Sequence, residues 1–511
     1  MKRRKFLKTI SIISAGFLFY NKSFSKKLLN KFNVVFILAD DLGYGDIEIL
    51  NPECKIPTPN INNLINNGML FTDAHSGSAV CTPTRYGILT GRYAFRTRLQ
   101  SGVLTGYSPP LIDNKRLTIA KLFKQKGYKT GFIGKWHLGW DWGTKDNYKY
   151  DDRWDATWEH VDFSKPIKNG PNQTGFDEFF GISASLDMTP YVYIHNNKVT
   201  QIPNKIIDGK KGYKFYRKGP ISNDFDHEQT LPLLTEKAKN FITNNKNNPF
   251  FLFFSMTAPH TPIIPTKKFQ GKSGIGPYGD FVLECDWAVG EIINTLKQNK
   301  LYDNTLIIFT SDNGPSPAAN FQNLKKFGHS PTYIYRGAKA DIYEGGHRIP
   351  LVITFPGIIK PKSKYEHIVC LTDFFATFAE LLNIKIPDNA GEDSFSLAEI
   401  INGHTRQAVR ENIVHHSING SFAIRTKKWK LELCPGSGGW SHPTPKEAKK
   451  QKLPPIQLYD IENDPKETIN VYNKYPEIVQ KLKKTLIAQI KNGRSTPGKK
   501  QKNDVPIKIY K

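Results

Sequence analysis

The sequence predicts an α/β protein with a large, mixed but mostly parallel sheet flanked by helices, followed by a smaller carboxyl-terminal antiparallel α+β unit. Continuous apolar runs such as NVVFILA (33–39) and PFFLFFS (249–255) are typical of strands buried on both faces. These runs alternate with amphipathic helical patterns up to about residue 400, which indicates βα units. From residue 412 onward, short strand-like runs follow one another closely, as in an antiparallel sheet.

In the larger unit, strands and helices alternate along most of the chain. The apolar runs predict strands at 33–39, 71–75, 128–133, 249–255, 304–310 and 349–355, and we expect the chain to return to the core at 176–180. The amphipathic patterns predict helices at 59–67, 117–126, 227–244, 278–298 and 373–382. A polar, hairpin-like stretch covers 195–208. Residues 140–173 show little periodicity, so we expect a long surface insertion of the kind that carries substrate specificity.

The smaller unit is predicted from a second group of elements near the end of the sequence. Short strands are expected at 412–416, 422–425, 429–433 and 457–459, and a helix at 476–491. These elements divide the chain into a domain at 32–400, a carboxyl-terminal α+β subdomain at 401–491 and a basic tail at 492–511. The tail is rich in lysine, and we expect it to be mobile.

The amino terminus has the pattern of an export signal. The run KRRKFLK at 2–8 is similar to a twin-arginine signal, and the apolar stretch at 10–20 is too short to span a bilayer comfortably. Ser23 and Ser25 offer a small-x-small cleavage pattern. We expect residues 1–25 to be removed and the rest to be exported to the periplasm or the cell surface, without stable membrane insertion. The alternative is an uncleaved amino-terminal anchor.

The composition is strongly basic. Lys and Arg number 72 against 46 Asp and Glu, a formal net charge of +26, which attracts polyanions by long-range steering. Nucleic acid and an acidic polysaccharide are both polyanions, and a general lysine bias is the alternative because the lysines are spread along the chain. Nucleic-acid binding is disfavoured because no zinc-finger spacing and no basic helix with interleaved aromatic residues occurs.

The cysteines are too few and too scattered for a disulfide framework or a cysteine metal cluster. One or two bridges stay open from the sequence. The five cysteines are Cys54, Cys81, Cys285, Cys370 and Cys434.

Oxygen-bearing side chains follow two of the predicted strands. Asp40 and Asp41 come directly after the strand at 33–39, and Asp312 and Asn313 come just after the strand at 304–310. Open α/β sheets bind their ligands at the carboxyl ends of their strands. Adjacent carboxylates in such a place need a cation, and hard oxygen ligands favour Ca²⁺ or Mg²⁺. The alternative is an Asp-rich turn.

Lysine and histidine side chains follow other strands in the same way. Lys135 and His137 come after the strand at 128–133, and two residues apart they can both face one site. His260 follows the strand at 249–255, and Lys339 lies before a Gly-rich turn. The alternative is that these histidines are simply packed among aromatic residues.

The run Cys81-Thr82-Pro83-Thr84-Arg85 predicts the start of a helix close to Cys81, because proline is tolerated in the first helical turn. The sulfur would then lie near the positive end of that helix, where anions bind. The alternative is a buried structural cysteine.

Taken together, these motifs resemble those of formylglycine-dependent sulfatases of the alkaline phosphatase superfamily. CTPTR at 81–85 matches the family's C-x-P-x-R with threonine where serine is commoner, and LTGR at 89–92 continues it. The segment GYKTGFIGKWHLG at 127–139 matches the second family signature. The Asp40, His260, Asp312 and Lys339 motifs follow in the family's order, and the resemblance covers about 32–490. It implies an alkaline phosphatase-like fold, with 32–400 as the catalytic domain.

The resemblance also implies the chemistry. A separate maturation enzyme would oxidise Cys81 to formylglycine (3-oxoalanine), whose hydrate would attack the sulfur of a sulfate ester and whose second hydroxyl would allow sulfate to leave. One Ca²⁺ would bind the modified Cys81 and a sulfate oxygen as well as the protein. Its ligands would be Asp40, Asp41, Cys81, Asp312 and Asn313.

The remaining site residues take their roles from the same resemblance. Arg85 and Lys135 would orient the nucleophile, and Lys135 and Lys339 would neutralise sulfate oxygens. His260, together with Lys339, would be the general acid toward the leaving alcohol, and His137 the base for sulfate release. Ser185 would contact the substrate.

The substrate class is predicted from charge, export and the aromatic-rich insertions, which favour a sulfated polysaccharide or its oligosaccharides. The sugar, the sulfate position and exo or endo action stay open. Lysines in place of a second metal suit a monoanionic sulfate ester better than a dianionic phosphate monoester. One alternative is a phosphodiesterase or phosphonate monoester hydrolase, because relatives use the same nucleophile. The other is a secreted polyanion-binding protein whose catalytic residues are relics.

Overall fold

A computed structural model of the protein describes residues 31–511. Its strands are β1 (Asn33–Ala39), β2 (Met69–Phe71), β3 (Ala74–His75), β4 (Lys129–Lys135), β5 (Glu178–Ile182), β6 (Ile194–His195), β7 (Lys198–Val199), β8 (Lys205–Ile207), β9 (Gly219–Ile221), β10 (Phe250–Ser255), β11 (Thr305–Ser311), β12 (Leu351–Thr354), β13 (Ser363–Tyr365), β14 (Val369–Cys370), β15 (Asn412–His416), β16 (Phe422–Thr426), β17 (Trp429–Glu432) and β18 (Gln457–Asp460). Its α-helices are α1 (Pro59–Asn66), α2 (Cys81–Thr90), α3 (Ile119–Gln125), α4 (Thr230–Asn244), α5 (Pro277–Gln298), α6 (Phe321–Lys326), α7 (Glu344–His347), α8 (Phe374–Leu381), α9 (Ala398–Ile401), α10 (Pro445–Lys450) and α11 (Pro476–Lys491).

The main sheet confirms the predicted mixed, mostly parallel topology. Its ten strands run in the order β13-β2-β12-β11-β1-β10-β4-β5-β6-β7. The five central strands β11, β1, β10, β4 and β5 are parallel, whereas β12 pairs with β11 antiparallel. Val35 lies opposite Leu252 on one side and Ile307 on the other, so the strands are in register. The carboxyl ends of β1, β4, β10 and β11 therefore meet at one edge.

The sheet is covered on both faces, which explains why its central strands are apolar throughout. Val34, Phe36 and Leu38 belong to one hydrophobic core, which is completed by helices α2, α3 and α8. Val35 and Ile37 point the other way, into a core completed by helices α1, α4 and α5. Successive side chains of a strand face opposite sides, so a strand between two helical layers must be apolar at every position.

The carboxyl-terminal unit is the predicted small antiparallel sheet. Its strands run in the order β15-β16-β17-β18, each antiparallel to the next. Helix α11 packs against it through Val479, Leu482 and Leu486. The sheet also joins the larger unit, since the backbone N–H of Ala79 donates to the carbonyl of His416 at 3.0 Å.

The predicted strand at 71–75 is divided into β2 and β3 by a turn. The buried carboxylate of Asp73 in this turn accepts hydrogen bonds from Arg425 (3.0 Å) and forms an ion pair with Arg348 (3.1 Å). These two ion pairs hold Asp73 in the turn outside the main sheet, and β3 pairs with β14 instead of continuing β2. The sequence pattern missed the break because the partners of Asp73 lie hundreds of residues away.

The tail at 492–511 is packed, and the prediction that it is mobile is wrong. Asp504 accepts hydrogen bonds from the guanidinium of Arg92, at 3.0 and 3.1 Å, and Arg92 is only 1% exposed. Ile507 and Ile509 pack against the core of the carboxyl-terminal sheet. A buried guanidinium needs a carboxylate partner. The tail supplies such a partner, Asp504, which its lysine-rich composition gave no reason to expect.

Three further predictions meet different outcomes. All five cysteines are free, so neither of the bridges left open by the sequence forms. Within residues 31–511, no helix combines the length and the apolar character that crossing a bilayer requires. The export signal predicted at 1–25 lies outside the described residues.

Candidate active site

The carboxyl edge of the main sheet brings the predicted metal ligands together. Asp40 and Asp41 follow β1, Asp312 and Asn313 follow β11, and all four are fully buried. Asp41 has a left-handed backbone (φ 64°), and its N–H donates to Asp312 Oδ1 at 3.2 Å. The tight turn after β1 thus directs both adjacent carboxylates toward the end of β11.

This group of oxygens fits a hard divalent cation. Asn313 Nδ2 donates to Asp41 Oδ1 at 2.7 Å, whereas Asn313 Oδ1 is buried and has no hydrogen-bond partner within residues 31–511. A buried amide oxygen without a donor is costly, and a bound cation would satisfy it. Ligand atoms of Asp40, Asp41 and His260 lie within 4.8 Å of one another. Three carboxylates and one amide oxygen form the donor set that Ca²⁺ and Mg²⁺ prefer.

Three cationic side chains compensate the three carboxylates. Lys135 Nζ lies 2.7 Å from Asp40 Oδ2, and Lys339 Nζ lies 2.6 Å from Asp41 Oδ1. Burial alone would raise the pKa of Asp40, but Lys135 and the other nearby cations hold it well below its usual value. Burial lowers the pKa of Lys339, yet the neighbouring Asp41 raises it above its ordinary value. Asp40 and Lys339 are therefore both charged at neutral pH.

Arg85 holds the third carboxylate, that of Asp312, through hydrogen bonds. Its Nε and Nη2 atoms donate to Asp312 Oδ2 at 3.0 and 2.7 Å, and its Nη1 donates to the carbonyl of Lys135 at 3.1 Å. Burial and the charge of Asp40 raise the pKa of Asp312 to about 6, although Arg85 opposes that shift. Arg85 therefore joins the ends of β4 and β11 from its position on α2.

Cys81 is the first residue of α2 and is almost fully buried. The preceding Val80 is extended, Pro83 lies in the first turn, and the helix ends at Gly91 with φ 63°. The sulfur therefore lies at the positive end of the helix, as predicted. Burial raises the pKa of the Cys81 thiol even though Lys135 and Lys339 lower it, so the thiolate is not the dominant form at neutral pH.

His137 is held as a neutral imidazole. Its Nε2 lies 2.8 Å from the carbonyl of Leu104, which can only accept, so Nε2 carries the proton and Nδ1 carries the lone pair. Nδ1 faces Ser185 Oγ at 3.5 Å. Burial and the charge of Lys135 keep the pKa of His137 well below its usual value. A neutral histidine with a free lone pair is able to accept a proton.

His260 faces the same site from the segment after β10. Its Nδ1 lies 2.7 Å from the carbonyl of Thr261, which fixes Nδ1 as the donor and leaves Nε2 directed toward Asp41 Oδ2, 3.7 Å away. The predicted site residues are thus brought into one cluster. The metal-ligand candidates, Lys135 and His260 lie at strand ends that share one edge, whereas Cys81 and Arg85 reach this edge from α2.

A cavity of about 590 Å³ opens above this cluster. Four predicted residues line it: Cys81, Ser185, His260 and Lys339. Arg85, Lys135, His137 and the four candidate metal ligands do not line this cavity. Cys81 is therefore at the point where the cavity meets the buried charges.

The cavity wall also contains residues that the sequence analysis did not assign. Arg217 pairs with Asp187, and its guanidinium lies 5.0 Å from the ring centres of both Trp154 and Phe215. Asp187 Oδ1 is buried and has no hydrogen-bond partner among the described residues. Trp440 reaches the wall from the carboxyl-terminal unit. Of these residues, only Trp154 could have been connected with substrate binding from the sequence, because it lies in the insertion predicted to carry specificity.

Comparison with known proteins gives a consistent result. Residues 32–384 match the family described as Sulfatase, and residues 338–434 match the family described as N-sulphoglucosamine sulphohydrolase, C-terminal. The chain is 34% identical over 494 residues to an N-acetylgalactosamine-6-O-sulfatase of Bacteroides thetaiotaomicron, covering 89% of this chain and 92% of that protein. It is 30% identical over 474 residues to human arylsulfatase A, covering 88% of this chain and 86% of that protein.

A solved structure agrees with these matches. A Bacteroides thetaiotaomicron protein, described in connection with the metabolism of multiple glycosaminoglycans, superposes with a TM-score of 0.77 at 33% identity. The superposition covers 90% of this chain and 99% of that chain.

The fold and the clustered site define a hydrolase of the alkaline phosphatase superfamily. The family match spans more than half of the chain, and relatives at least 30% identical cover most of it. The chain belongs to the sulfatase family, and the protein is an enzyme that hydrolyses sulfuric esters.

Proposed function

We propose that this sulfatase removes sulfate from a sulfated polysaccharide or its oligosaccharides, using a formylglycine made from Cys81 and one bound Ca²⁺. The observation that carries the proposal is the position of Cys81. It lies at the positive end of α2, where the cavity meets two lysines and four oxygen ligands. The similarity to an N-acetylgalactosamine-6-O-sulfatase supports a sulfated sugar as the substrate.

The state of the Cys81 thiol supports its conversion. Its raised pKa leaves it mostly protonated, and a protonated thiol is a weak nucleophile. Formylglycine, once hydrated, supplies a hydroxyl that can attack sulfur and a second hydroxyl that allows the product to leave. We propose that a separate maturation enzyme makes this residue.

The chain's own residues would then share the remaining tasks. Asp40, Asp41, Asp312 and Asn313 would hold Ca²⁺, which offsets negative charge on the reacting group. The ammonium groups of Lys135 and Lys339 would receive the sulfate oxygens, since both lie within the cluster.

Proton transfer falls to the two histidines. His260 lines the cavity and its Nδ1–H donates to a carbonyl, so the second proton of the imidazolium form, on Nε2, is the one that it would give to the leaving alcohol. The lone pair on Nδ1 of His137 would take up a proton when sulfate is released. Arg85 would hold the metal-side carboxylate Asp312 in place throughout, and Ser185 would contact the substrate.

The proposal is tested by comparing ester substrates under identical conditions. We expect the purified, converted enzyme to release sulfate from aryl sulfates and from sulfated oligosaccharides much faster than it cleaves aryl phosphodiesters or phosphonate monoesters. Faster phosphodiester cleavage would favour the alternative hydrolase. Binding of sulfated glycans without any turnover by the converted protein would favour a polyanion-binding relic.

The cavity wall supports a carbohydrate substrate. Trp154 and Trp440 are 54% and 48% exposed, and such aromatic faces can stack on sugar rings. Asp187 Oδ1 offers a buried acceptor to a sugar hydroxyl, and Arg217 holds this carboxylate in place. A small aryl sulfate has no hydroxyl group that could donate a hydrogen bond to Asp187.

Replacement of Arg217 by alanine separates sugar recognition from catalysis. We expect KM for a sulfated oligosaccharide to rise about 10-fold or more, because Arg217 both pairs with Asp187 and supports Trp154. Turnover of a small aryl sulfate should change less than about twofold. Arg153→Ala is the control, since Arg153 is an exposed arginine next to Trp154 that does not line the cavity. Equal losses on both substrates would contradict sugar recognition at this wall.

Export to the periplasm or the cell surface remains a proposal based on residues 1–25.

A further inference from the structure

A buried chain of hydrogen bonds joins the carboxyl-terminal sheet to the larger unit. Lys430 Nζ lies 2.7 Å from Glu467 Oε1 and 3.1 Å from His347 Nε2. His347 Nδ1 lies 3.0 Å from His75 Nδ1, and His75 Nε2 lies 2.7 Å from Asp73 Oδ1. All five residues are buried. None of them belongs to the site described above.

Lys430 and Asp73, at the two ends of this series of hydrogen bonds, determine which atom carries each proton between them. Lys430 can only donate, so His347 Nε2 must accept. Burial would raise the pKa of Asp73, but Arg425 and Arg348 hold it well below its usual value, so Asp73 can only accept and His75 Nε2 must donate. One proton is left for the bond between the two Nδ1 atoms, and His347 donates it. Both histidines are therefore neutral, and all four of their nitrogens are engaged.

The surroundings favour the neutral state of both rings. Arg348 and Arg425 lie on one side, and Glu344 of α7 forms ion pairs with both of them and lies 3.4 Å from Lys430. From the carboxyl-terminal sheet, Glu432 lies 3.2 Å from Lys430. The ring of His415 lies 3.5 Å from that of His347, and neither of its nitrogens has a hydrogen-bond partner in residues 31–511.

Those contacts also argue against a metal ion here. A ligating nitrogen needs a free lone pair, and the hydrogen bonds of His75 and His347 leave none. These hydrogen-bonded residues therefore hold neighbouring parts of the protein in position and do not bind a ligand.

Backbone hydrogen bonds of helix α7 connect these hydrogen-bonded side chains to the active site. The carbonyl of His347 accepts from the N–H of Ser76 (2.9 Å), and the carbonyl of Gly346 accepts from the N–H of Gly314 (2.9 Å). The N–H of Gly345 donates to the carbonyl of Arg336 (2.7 Å). A Cβ at Gly346 would lie 2.3 Å from the carbonyl oxygen of Asp341, so no other residue fits there.

These contacts fix three loops that carry site residues. Ser76 leads into the turn before Cys81, Gly314 follows Asn313, and Arg336 precedes Lys339 by three positions. A single four-residue helix thus sets the spacing of the nucleophile, one metal ligand and one sulfate-binding lysine.

We infer that His75 and His347 are positioning residues: as a neutral, hydrogen-bonded pair they lock α7 against the carboxyl-terminal sheet and so hold the loops of Cys81, Asn313 and Lys339 in register. The inference rests on the proposed function, because its effect is read as turnover. Displacements of about 1 Å in a catalytic group are enough to cost about 100-fold in rate.

Two substitutions of His75 test the inference. A glutamine amide carries one donor and one acceptor, as neutral His75 does, whereas leucine carries neither. We expect His75→Leu to lower kcat about 30-fold or more with KM within about threefold, and His75→Gln to keep kcat within about fivefold. The Leu variant should also bind Ca²⁺ about 10-fold more weakly by calorimetry, since Asn313 shifts.

A stability-matched control separates positioning from general support. Arg410 donates to Asp373 at 2.8 Å and forms another buried link between the two units, and within residues 31–511 none of its hydrogen bonds or ion pairs reaches α7. Arg410→Met should lower the Tm as much as His75→Leu does, yet keep kcat within about threefold. If His75→Leu does not fold, His347→Phe replaces it under the same criteria.

The outcomes are distinguishable. Equal kcat values for the leucine and glutamine variants, or equal kcat losses in His75→Leu and Arg410→Met, would overturn the positioning role. Absence of sulfate release by the converted wild-type enzyme would instead overturn the proposed function.

Discussion

Replacing Cys81 by alanine is expected to lower kcat/KM for every sulfate ester by about 10⁴-fold or more, which corresponds to about 5.5 kcal/mol of transition-state stabilisation. The physical reason is that the side chain at this position is the point where the cavity meets the buried charges. The other hydroxyl groups of the first turn of α2 are engaged with the backbone, since Thr82 Oγ1 accepts from the N–H of Leu104 and Thr84 Oγ1 donates to the carbonyls of Ser78 and Val80. Binding of a sulfated ligand should persist, because Lys339 and His260 are untouched.

The control for this prediction is Cys285→Ala. Cys285 is a buried cysteine of α5 and lies in the apolar core, away from the cavity lining. It should keep wild-type turnover. Mass spectrometry of the peptide that contains Cys81 in the wild-type protein should show the exchange of sulfur for oxygen and the loss of two hydrogens. An active enzyme whose Cys81 is an unmodified thiol would disprove the formylglycine proposal.

Removal of the metal is expected to have the second largest effect. Chelation with EGTA should lower kcat by about 10³-fold, because three buried carboxylates and the Asn313 oxygen would lose the cation that completes their charge and bonding. Addition of Ca²⁺ should restore activity. Asp312→Asn should weaken Ca²⁺ binding about 100-fold in calorimetry, since it removes one charged ligand and the partner of Arg85.

Asp286→Asn is the matched control for the loss of a buried carboxylate. Asp286 accepts hydrogen bonds from the backbone of Asn60 and Ile61, at the start of α1, and does not belong to the cluster at the sheet edge. This change should leave Ca²⁺ affinity and turnover as they are. Full activity in protein shown by elemental analysis to be free of metal would exclude the proposed role of calcium, and restoration by Mg²⁺ alone would reassign the ion.

The part of the site that could be predicted from the sequence is the part built on strand ends. Asp40 and Asp312 follow strands whose apolar runs are unmistakable, and parallel strands end at a common edge, so their meeting follows from the fold class. The same reasoning places Lys135 and His260 there. The helix beginning at Cys81 was predictable because Pro83 fixes its first turn.

The cavity wall could not be predicted in this way. Arg217 and Asp187 come from irregular segments whose direction depends on packing and not on periodicity. Trp440 arrives from the carboxyl-terminal unit, and nothing in its neighbourhood of the sequence indicates where it will dock. The pairing of His75 with His347 is equally remote, since 272 residues separate them.

The link between Arg92 and Asp504 has a consequence for how the protein is made. The two residues are 412 positions apart, and a ribosome that adds 5 to 20 residues per second needs about 20 to 80 s to cover that distance. During that interval α2 and the residues after it lack one of the two carboxylates that face the Arg92 guanidinium, the other being Glu392. Completion of the structure around α2 is therefore a late event in biosynthesis.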